Sequence, residues 1–455
     1  MSKKASWVSR FSFYLLAVGS ACGLGNIWRF PYVIGENGGG AFLLLYIFLA
    51  FTVGLSILVA ELILGRSGEF GLLKITKLVS LQAKKPFYWF GRLSILINVV
   101  ILAYYSVISG WVLHYLTQFI VGIANENRIA YISSINMEAL KNSGSLQFSL
   151  ASVHLLICGF VVAKGVIERF EKIFAQALPI LAVLFIVLIV RSFSLDTTSD
   201  VMRFLFYPDF SKLNLSSLGH ALGHVFFTLS LGMGIMVTYG TYFKNDEHLP
   251  SVGFRVTTID TIVSIMALLL VFPIAFLSDS NHYFTDPGML FESLPRLFVK
   301  IRYGEFFGLL FFLCLWLAAV NASIGLLETL IANFGDKFHK ISRNQSTFMT
   351  ITGVLLLMIF PAFSGTLFSK IKWFNQSFME NLDSLLINYL LPISGLGIIV
   401  IFFHLLNETE RKEKFIDATG KNSQAMYRHW IWILKWFTPV LIGLAILLQL
   451  INLFR

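Results

Sequence analysis

With 455 residues, 56% of them hydrophobic and only 13% charged, and a mean hydropathy of +0.75, the chain is too apolar for a soluble protein of its size and reads as a polytopic membrane protein. Its formal charge of +10 has no basic soluble domain to carry it, which excludes a nucleic-acid binder. Cys22, Cys158 and Cys314 all fall inside hydrophobic segments without CxxC or ligand spacing, so neither a disulfide framework nor a thiolate metal site is expected.

Apolar runs of roughly 17 to 30 residues begin near Phe11, Ala41, Tyr88, Ser149, Lys172, Leu218, Phe254, Gly304, Thr347, Ser384 and Trp430, and predict eleven spanning helices. The first run is too long and too broken for a cleavable signal peptide. It reads Gly19-Ser20-Ala21-Cys22-Gly23-Leu24-Gly25-Asn26-Ile27-Trp28-Arg29-Phe30-Pro31, so glycines, an amide and an arginine interrupt it at membrane depth. Backbone groups freed in hydrocarbon are costly unless they line a cavity or bind something, so the break marks a binding site. Between the third and fourth runs, the polar stretch from Gly122 to Gln147, with Asn125, Glu126, Asn127 and Asn142, reads as a connection. A second break, Gly232-Met233-Gly234, interrupts the sixth run. After the seventh, Asp279 to Tyr303 holds the turn Asp286-Pro287-Gly288 and then the amphipathic Leu294-Pro295-Arg296-Leu297-Phe298, predicting a helical cap on the outer side.

Lys3, Lys4, Arg10, Lys74, Lys77, Lys84, Lys85, Arg411, Lys412 and Lys414 all fall on one side when the N-terminus is placed inside. The bias predicts a cytoplasmic N-terminus and an extracytoplasmic C-terminus. His114, His154, His220 and His224 lie in apolar segments with no arranged nucleophile, so no enzyme is expected.

Breaks in the first and sixth helices divide the chain as five plus five plus one. The predicted units are a first repeat over 1–191, an inverted second repeat over 218–406 with the cap at 279–303, and an appended helix at 430–453. Glycine breaks in corresponding positions of two halves mark a secondary transporter with inverted repeats.

The run Gly23-Leu24-Gly25-Asn26-Ile27-Trp28-Arg29-Phe30-Pro31-Tyr32, followed by Glu36-Asn37-Gly38-Gly39-Gly40-Ala41-Phe42, closely resembles the neurotransmitter:sodium symporter family. The resemblance continues through Phe226-Phe227-Thr228-Leu229-Ser230-Leu231-Gly232 and Leu391-Pro392-Ile393-Ser394-Gly395-Leu396, and is strongest to bacterial members with eleven helices. It implies an all-α leucine-transporter fold and a sodium-coupled solute transporter of the cell (inner) membrane working by alternating access. The expected partners are a small amino acid and the lipid bilayer, with the chain a monomer or weak dimer.

By this resemblance one Na+ takes the Ala21 carbonyl, the Asn26 amide oxygen, the Thr228 hydroxyl and the substrate carboxylate, and Asp260 aligns with a ligand on helix seven. A carboxylate within an apolar helix favours a cation nearby. A second Na+ would use carbonyls of Gly19, Cys22 and Ala318 with two side chains of helix eight. There the family's Thr-Ser pair reads Asn321-Ala322, with Ser323 next door, which predicts a weakened site.

Gly23 stands where amine-transporting relatives carry an aspartate, which leaves room for a substrate carboxylate. Ala21, Gly23, Gly25 and Thr228 would then meet the substrate's amino and carboxyl groups. Ser20, Ile101, Tyr105, Phe227, Ser230, Met233 and Leu326 would line an apolar side-chain pocket suited to a neutral hydrophobic or aromatic amino acid, with Tyr105 and Phe227 as its lid. Arg29 and Asp383 match the family's outer gate, closed directly or through water. Lys4 and Asp336, with Trp7 and Tyr242, match the inner one.

Glu61 reads as protonated or hydrogen-bonded near the helix-seven site, or equally as making a structural bond to a neighbouring helix. Ser264 aligns with the position that is Ser in chloride-dependent relatives, while Asp260 already supplies a negative charge, so chloride is expected not to be required. Gln176 stands where helix five of the family has proline, and Pro179 follows later. A second reading, a substrate sensor that keeps the fold without coupled transport, rests on these departures in helices five and eight.

Overall fold

A computed structural model describes residues 23–68, 71–125, 127, 131–132, 134–163, 167–242, 248–276, 288–300, 302–337, 342–372, 377–416 and 423–453. Every described regular element is a helix or helical turn. Eight helices among the described residues are long and apolar enough to cross a membrane: Gly40–Gly68, Tyr88–Ala124, Gly144–Ala163, Leu249–Ala275, Gly304–Phe334, Arg343–Ala362, Phe378–Leu405 and Gln424–Asn452. These are helices two, three, four, seven, eight, nine, ten and eleven. Helix five is Ile167–Ser192, and helix six is two pieces, Ser217–Thr228 and Ile235–Gly240. Of helix one, the outer half is described, a π turn at Gly25–Arg29 running into Phe30–Glu36.

The helices start earlier than hydrophobicity suggests, because the capping residue and not the first apolar one sets the N-terminus. Helix nine begins at Arg343 behind a Ser342/Gln345 capping box, and helix ten at Phe378 behind a Ser377/Glu380 box. Helix five is helical through Pro179, so the displaced proline leaves it unbroken.

Helix three is the central post and the most buried of the eight spans. Helices two and six meet at Gly65 and Gly240, where a Cβ on Gly65 would collide with the carbonyl of Val237; small residues bring backbones together where lipid supplies no hydrophobic drive. Helix eleven sits at the edge, exposing Trp432, Trp436, Val440 and Leu447.

The outer cap appears as Met289–Lys300. Its buried Phe291 and Phe298 pack on Trp111, Tyr115 and Phe119 of helix three at 5.8, 5.2 and 5.5 Å between ring centroids. The reading of 122–147 as a mere connection is corrected. Asn136 caps a short helix at Met137–Lys141, and Gln147 accepts a 2.9 Å hydrogen bond from the Trp111 indole, so this stretch helps wall the outer vestibule. An interfacial helix at Leu72–Ala83, between helices two and three, was not predicted.

Candidate functional site: the two helix breaks and their gates

Helix six opens because its backbone leaves the right-handed region: Ser230, Gly232 and Gly234 have φ of 56°, 78° and 76°. Glycine tolerates this freely, whereas at Ser230 it stores strain of the kind found at ligand sites. The freed groups are satisfied from three helices. The Gly232 N–H donates to Glu61 Oε1 at 2.8 Å, and its carbonyl accepts from Ser94 at 2.8 Å and Ser394 at 2.6 Å. Asn98 donates to the Met233 carbonyl at 3.3 Å. Glu61 therefore bonds to helix six and not to the helix-seven cluster, the structural alternative of its two readings: helix two presents it to an open amide that needs an acceptor.

Asn26, Thr228 and Asp260 come together with no more than 2% exposure. Asn26 Nδ2 donates to Asp260 Oδ1 at 2.7 Å and to Ser264 at 2.9 Å. The Thr228 hydroxyl lies 2.8 Å from Asn26 Oδ1 and 2.6 Å from Asp260 Oδ1. Three oxygens from helices one, six and seven thus converge, the hard donor set a small cation needs. The other carboxylate oxygen, Asp260 Oδ2, accepts from the Tyr46 hydroxyl at 2.8 Å, and that hydroxyl is 3.4 Å from Ser264.

On helix eight, Asn321 is fully buried, and neither its amide oxygen nor its nitrogen has a hydrogen-bond partner among the described residues. A buried amide left this way is rare and points to something that fills the space. The neighbouring Ser323 hydroxyl is 2.9 Å from His154 Nε2. Ala322 instead lines the central cavity with Leu326. Ala318 is buried on the same helix. Gly19, Ser20, Ala21 and Cys22, and Lys4 and Trp7, lie outside the described residues.

The central cavity gathers Gly23, Gly25, Ile101, Tyr105, Phe227, Thr228, Ser230, Met233 and Leu326, together with Asn26, Ile235 and Ala322. The Tyr105 hydroxyl accepts from the Leu24 N–H at 3.3 Å, tying helix three to the break in helix one. Above it, Arg29 and Asp383 pair directly at 3.0 Å, with the Arg29 Nε 3.2 and 3.3 Å from the two carboxylate oxygens. Tyr104 and Tyr32 donate to the same carboxylate at 2.9 and 3.3 Å, and Arg29 Nη1 lies 3.3 Å from His224 Nδ1. The guanidinium carbon is 5.9 Å from the Phe227 ring centroid, so the ion pair stacks over a ring that walls the central cavity. A larger cavity of about 400 Å³ lies outside this gate, reaching Lys141 and Glu380. Trp28, Arg29 and Asp383 line it, and none of the helix-six residues Ser230 to Gly234 does.

At the opposite end Tyr242 donates to Glu328 at 3.3 Å, and Arg343 donates to both oxygens of Glu328 and to the Val162 carbonyl. Asp336 sits on helix eight, its side chain outside the described set. Sequence reading missed the Glu328–Arg343 pair, although an acid inside the apolar run of helix eight was a visible signal.

A model of the sodium:neurotransmitter symporter family matches residues 4–127 and 124–454. The chain belongs to the sodium:neurotransmitter symporter family. An uncharacterized sodium-dependent transporter of Bacillus subtilis is 30% identical over 99% of this chain and 98% of its own length. The sodium-dependent serotonin transporter of Drosophila melanogaster is 26% identical over 78% of the chain and 63% of its own. Among solved structures, MhsT in complex with L-phenylalanine superposes with a TM-score of 0.88 at 32% identity, covering 98% of this chain and 99% of that one. The family assignment and that fold fit the two broken helices, and make the protein a multi-pass, sodium-coupled transporter with five-plus-five inverted repeats.

Proposed function

We propose that the protein moves a neutral, hydrophobic or aromatic amino acid together with Na+ across the cell membrane, its N-terminus cytoplasmic, by alternating access between the Arg29–Asp383 gate and an inner gate at Tyr242, Glu328, Arg343 and Asp336. The observation that carries this reading is the central cavity. Helix one enters it at Gly23 and Gly25 and the opened helix six at Thr228 and Ser230, with Ile101, Phe227, Met233 and Leu326 as its apolar walls. Gly23 leaves space for a carboxylate, and the remaining walls suit an uncharged side chain. The L-phenylalanine held by MhsT agrees with it. The repeats are taken as 1–191 and 218–406, with the eleventh helix at 430–453.

One Na+ is assigned to Asn26, Thr228 and Asp260 with the Ala21 carbonyl and the substrate carboxylate, so ion and substrate bind as one unit. A second, weaker Na+ is assigned to Asn321, where the orphaned amide oxygen is the available side-chain donor, with the carbonyls of Gly19, Cys22 and Ala318. Chloride is not needed, since Asp260 supplies the negative charge beside Tyr46 and Ser264. Counterflow of labelled amino acids in proteoliposomes, in sodium against potassium, tests the reading. Sodium-dependent exchange of phenylalanine or leucine is expected. Binding without exchange would favour the sensor, the reading that the missing helix-eight hydroxyl at Ala322 keeps in play.

A further inference from the structure

The interfacial helix Leu72–Ala83 buries Leu72, Ile75, Thr76 and Val79 at helical spacing, and Lys77, Leu78, Leu81 and Gln82 are exposed. Lys84 closes it in the left-handed conformation, and exposed Lys84 and Lys85 follow. Thr76 packs against Gly91 of helix three, which sets Arg92 beside this surface. Arg92 lies 4.7 and 4.9 Å from the ring centroids of Tyr88 and Trp89, and Trp89 is 58% exposed. No acidic residue occurs from Phe70 to Asn125. Among the described residues no carboxylate pairs with Lys77, Lys84, Lys85 or Arg92.

We propose that Lys77, Lys84, Lys85 and Arg92 form a docking surface for the headgroups of anionic phospholipids, with Leu78, Leu81 and Trp89 in the adjoining acyl region. The helix joins the end of one spanning helix to the start of the next, at the membrane face opposite the Arg29–Asp383 gate. Unpaired cations interleaved with exposed leucines and an indole at that level fit a surface that is anionic on one side and apolar on the other. An acidic soluble protein would leave the leucines unexplained. The docked headgroup anchors a segment tied to the transport machinery. Leu72 lies against Gly234 of the helix-six break, and the Leu73 N–H donates to Asn333 of helix eight at 2.9 Å. The proposal does not depend on the identity of the transported solute. It requires only that this face be the cytoplasmic one, as the distribution of basic residues supports.

The test is fluorescence quenching of Trp89, taken as the difference between the full chain and its Trp89→Phe variant. The protein is placed in nanodiscs of phosphatidylcholine with a minority of brominated phosphatidylglycerol, or of brominated phosphatidylcholine at the same fraction. Phosphatidylglycerol is expected to quench the Trp89 component more strongly. The preference should fall about fivefold for each cation removed in the series Lys77→Gln, Lys84→Gln, Lys85→Gln, Arg92→Gln. In the unaltered protein it should also fall when salt shortens the Debye length from about 10 Å at 0.1 M to about 3 Å at 1 M. Equal quenching by the two lipids, or a preference insensitive to both the substitutions and salt, would overturn the proposal. The salt arm decides the matter even if the multiply substituted chain does not insert.

Discussion

Replacing Asp383 by Asn tests whether the buried ion pair holds the outer gate shut. In the closed state this carboxylate receives Arg29 through three contacts of 3.0 to 3.3 Å, plus the hydroxyls of Tyr104 and Tyr32. Arg29 itself is 2% exposed. Asn keeps one acceptor oxygen but removes the charge, leaving a buried guanidinium without its counter-ion. Truncating one member of such a pair costs about 2 to 4 kcal/mol. Both side chains face the water-filled vestibule once the gate opens, so the penalty falls on the closed state alone. The closing equilibrium should therefore shift by about 30- to 900-fold toward open. Initial-rate counterflow should drop by one to three orders of magnitude, roughly in that proportion, while sodium binding, measured by thermal shift, is retained because Asn26, Thr228 and Asp260 are untouched. Asp383→Glu, which restores the charge at a longer reach, should recover part of the rate. Wild-type exchange by Asp383→Asn would refute the assignment of this pair as the gate.

Four further outcomes are expected. Asp260→Ala should weaken sodium and substrate binding by the same factor, at least about tenfold, because the coupling of two ligands is reciprocal; unchanged sodium dependence of substrate binding would remove Asp260 from the ion site. Gly23→Asp places an anion against the substrate carboxylate, a repulsion of about 4 kcal/mol at 4 Å and an effective dielectric of 20, so amino-acid uptake should vanish, and retained leucine or tryptophan transport would put the carboxylate elsewhere. Exchanging chloride for gluconate should leave uptake unchanged, and a fall to background would instead indicate an anion at Ser264. On helix eight, Asn321→Ala should abolish the second ion site and slow transport, and Ala322→Ser should tighten sodium dependence by about fivefold or more; superimposable sodium titrations of Ala322→Ser and the parent would mean that this position turns wholly into the substrate cavity.

Much of the architecture was legible in advance because hydrocarbon makes exceptions conspicuous. Glycines, Asn26, Arg29 and Asp260 are expensive at membrane depth, so their presence in apolar runs announced the helix-six break, the polar cluster around Asp260 and one half of the buried ion pair. The glycine positions also fixed where helix six opens, since φ near +78° at Gly232 and +76° at Gly234 is backbone that few other residues adopt. Partner choice was a different matter. Glu61 was visible as an intramembrane acid, but only the rotation of helix two about its axis turns it to the Gly232 amide rather than to Asp260. Ser323 was visible beside Asn321, but only the packing of helix four against helix eight brings His154 to its hydroxyl. Likewise His224 reaches Arg29, and Arg343 reaches Glu328, across separations of 195 and 15 residues that carry no periodic signal. The sequence by itself determined where the chain crosses the membrane, where it breaks and which polar side chains must be satisfied. The tertiary structure alone decided which group satisfies which, because side-chain partnership depends on helix rotation and close packing between distant segments, and local hydrophobicity says nothing of either.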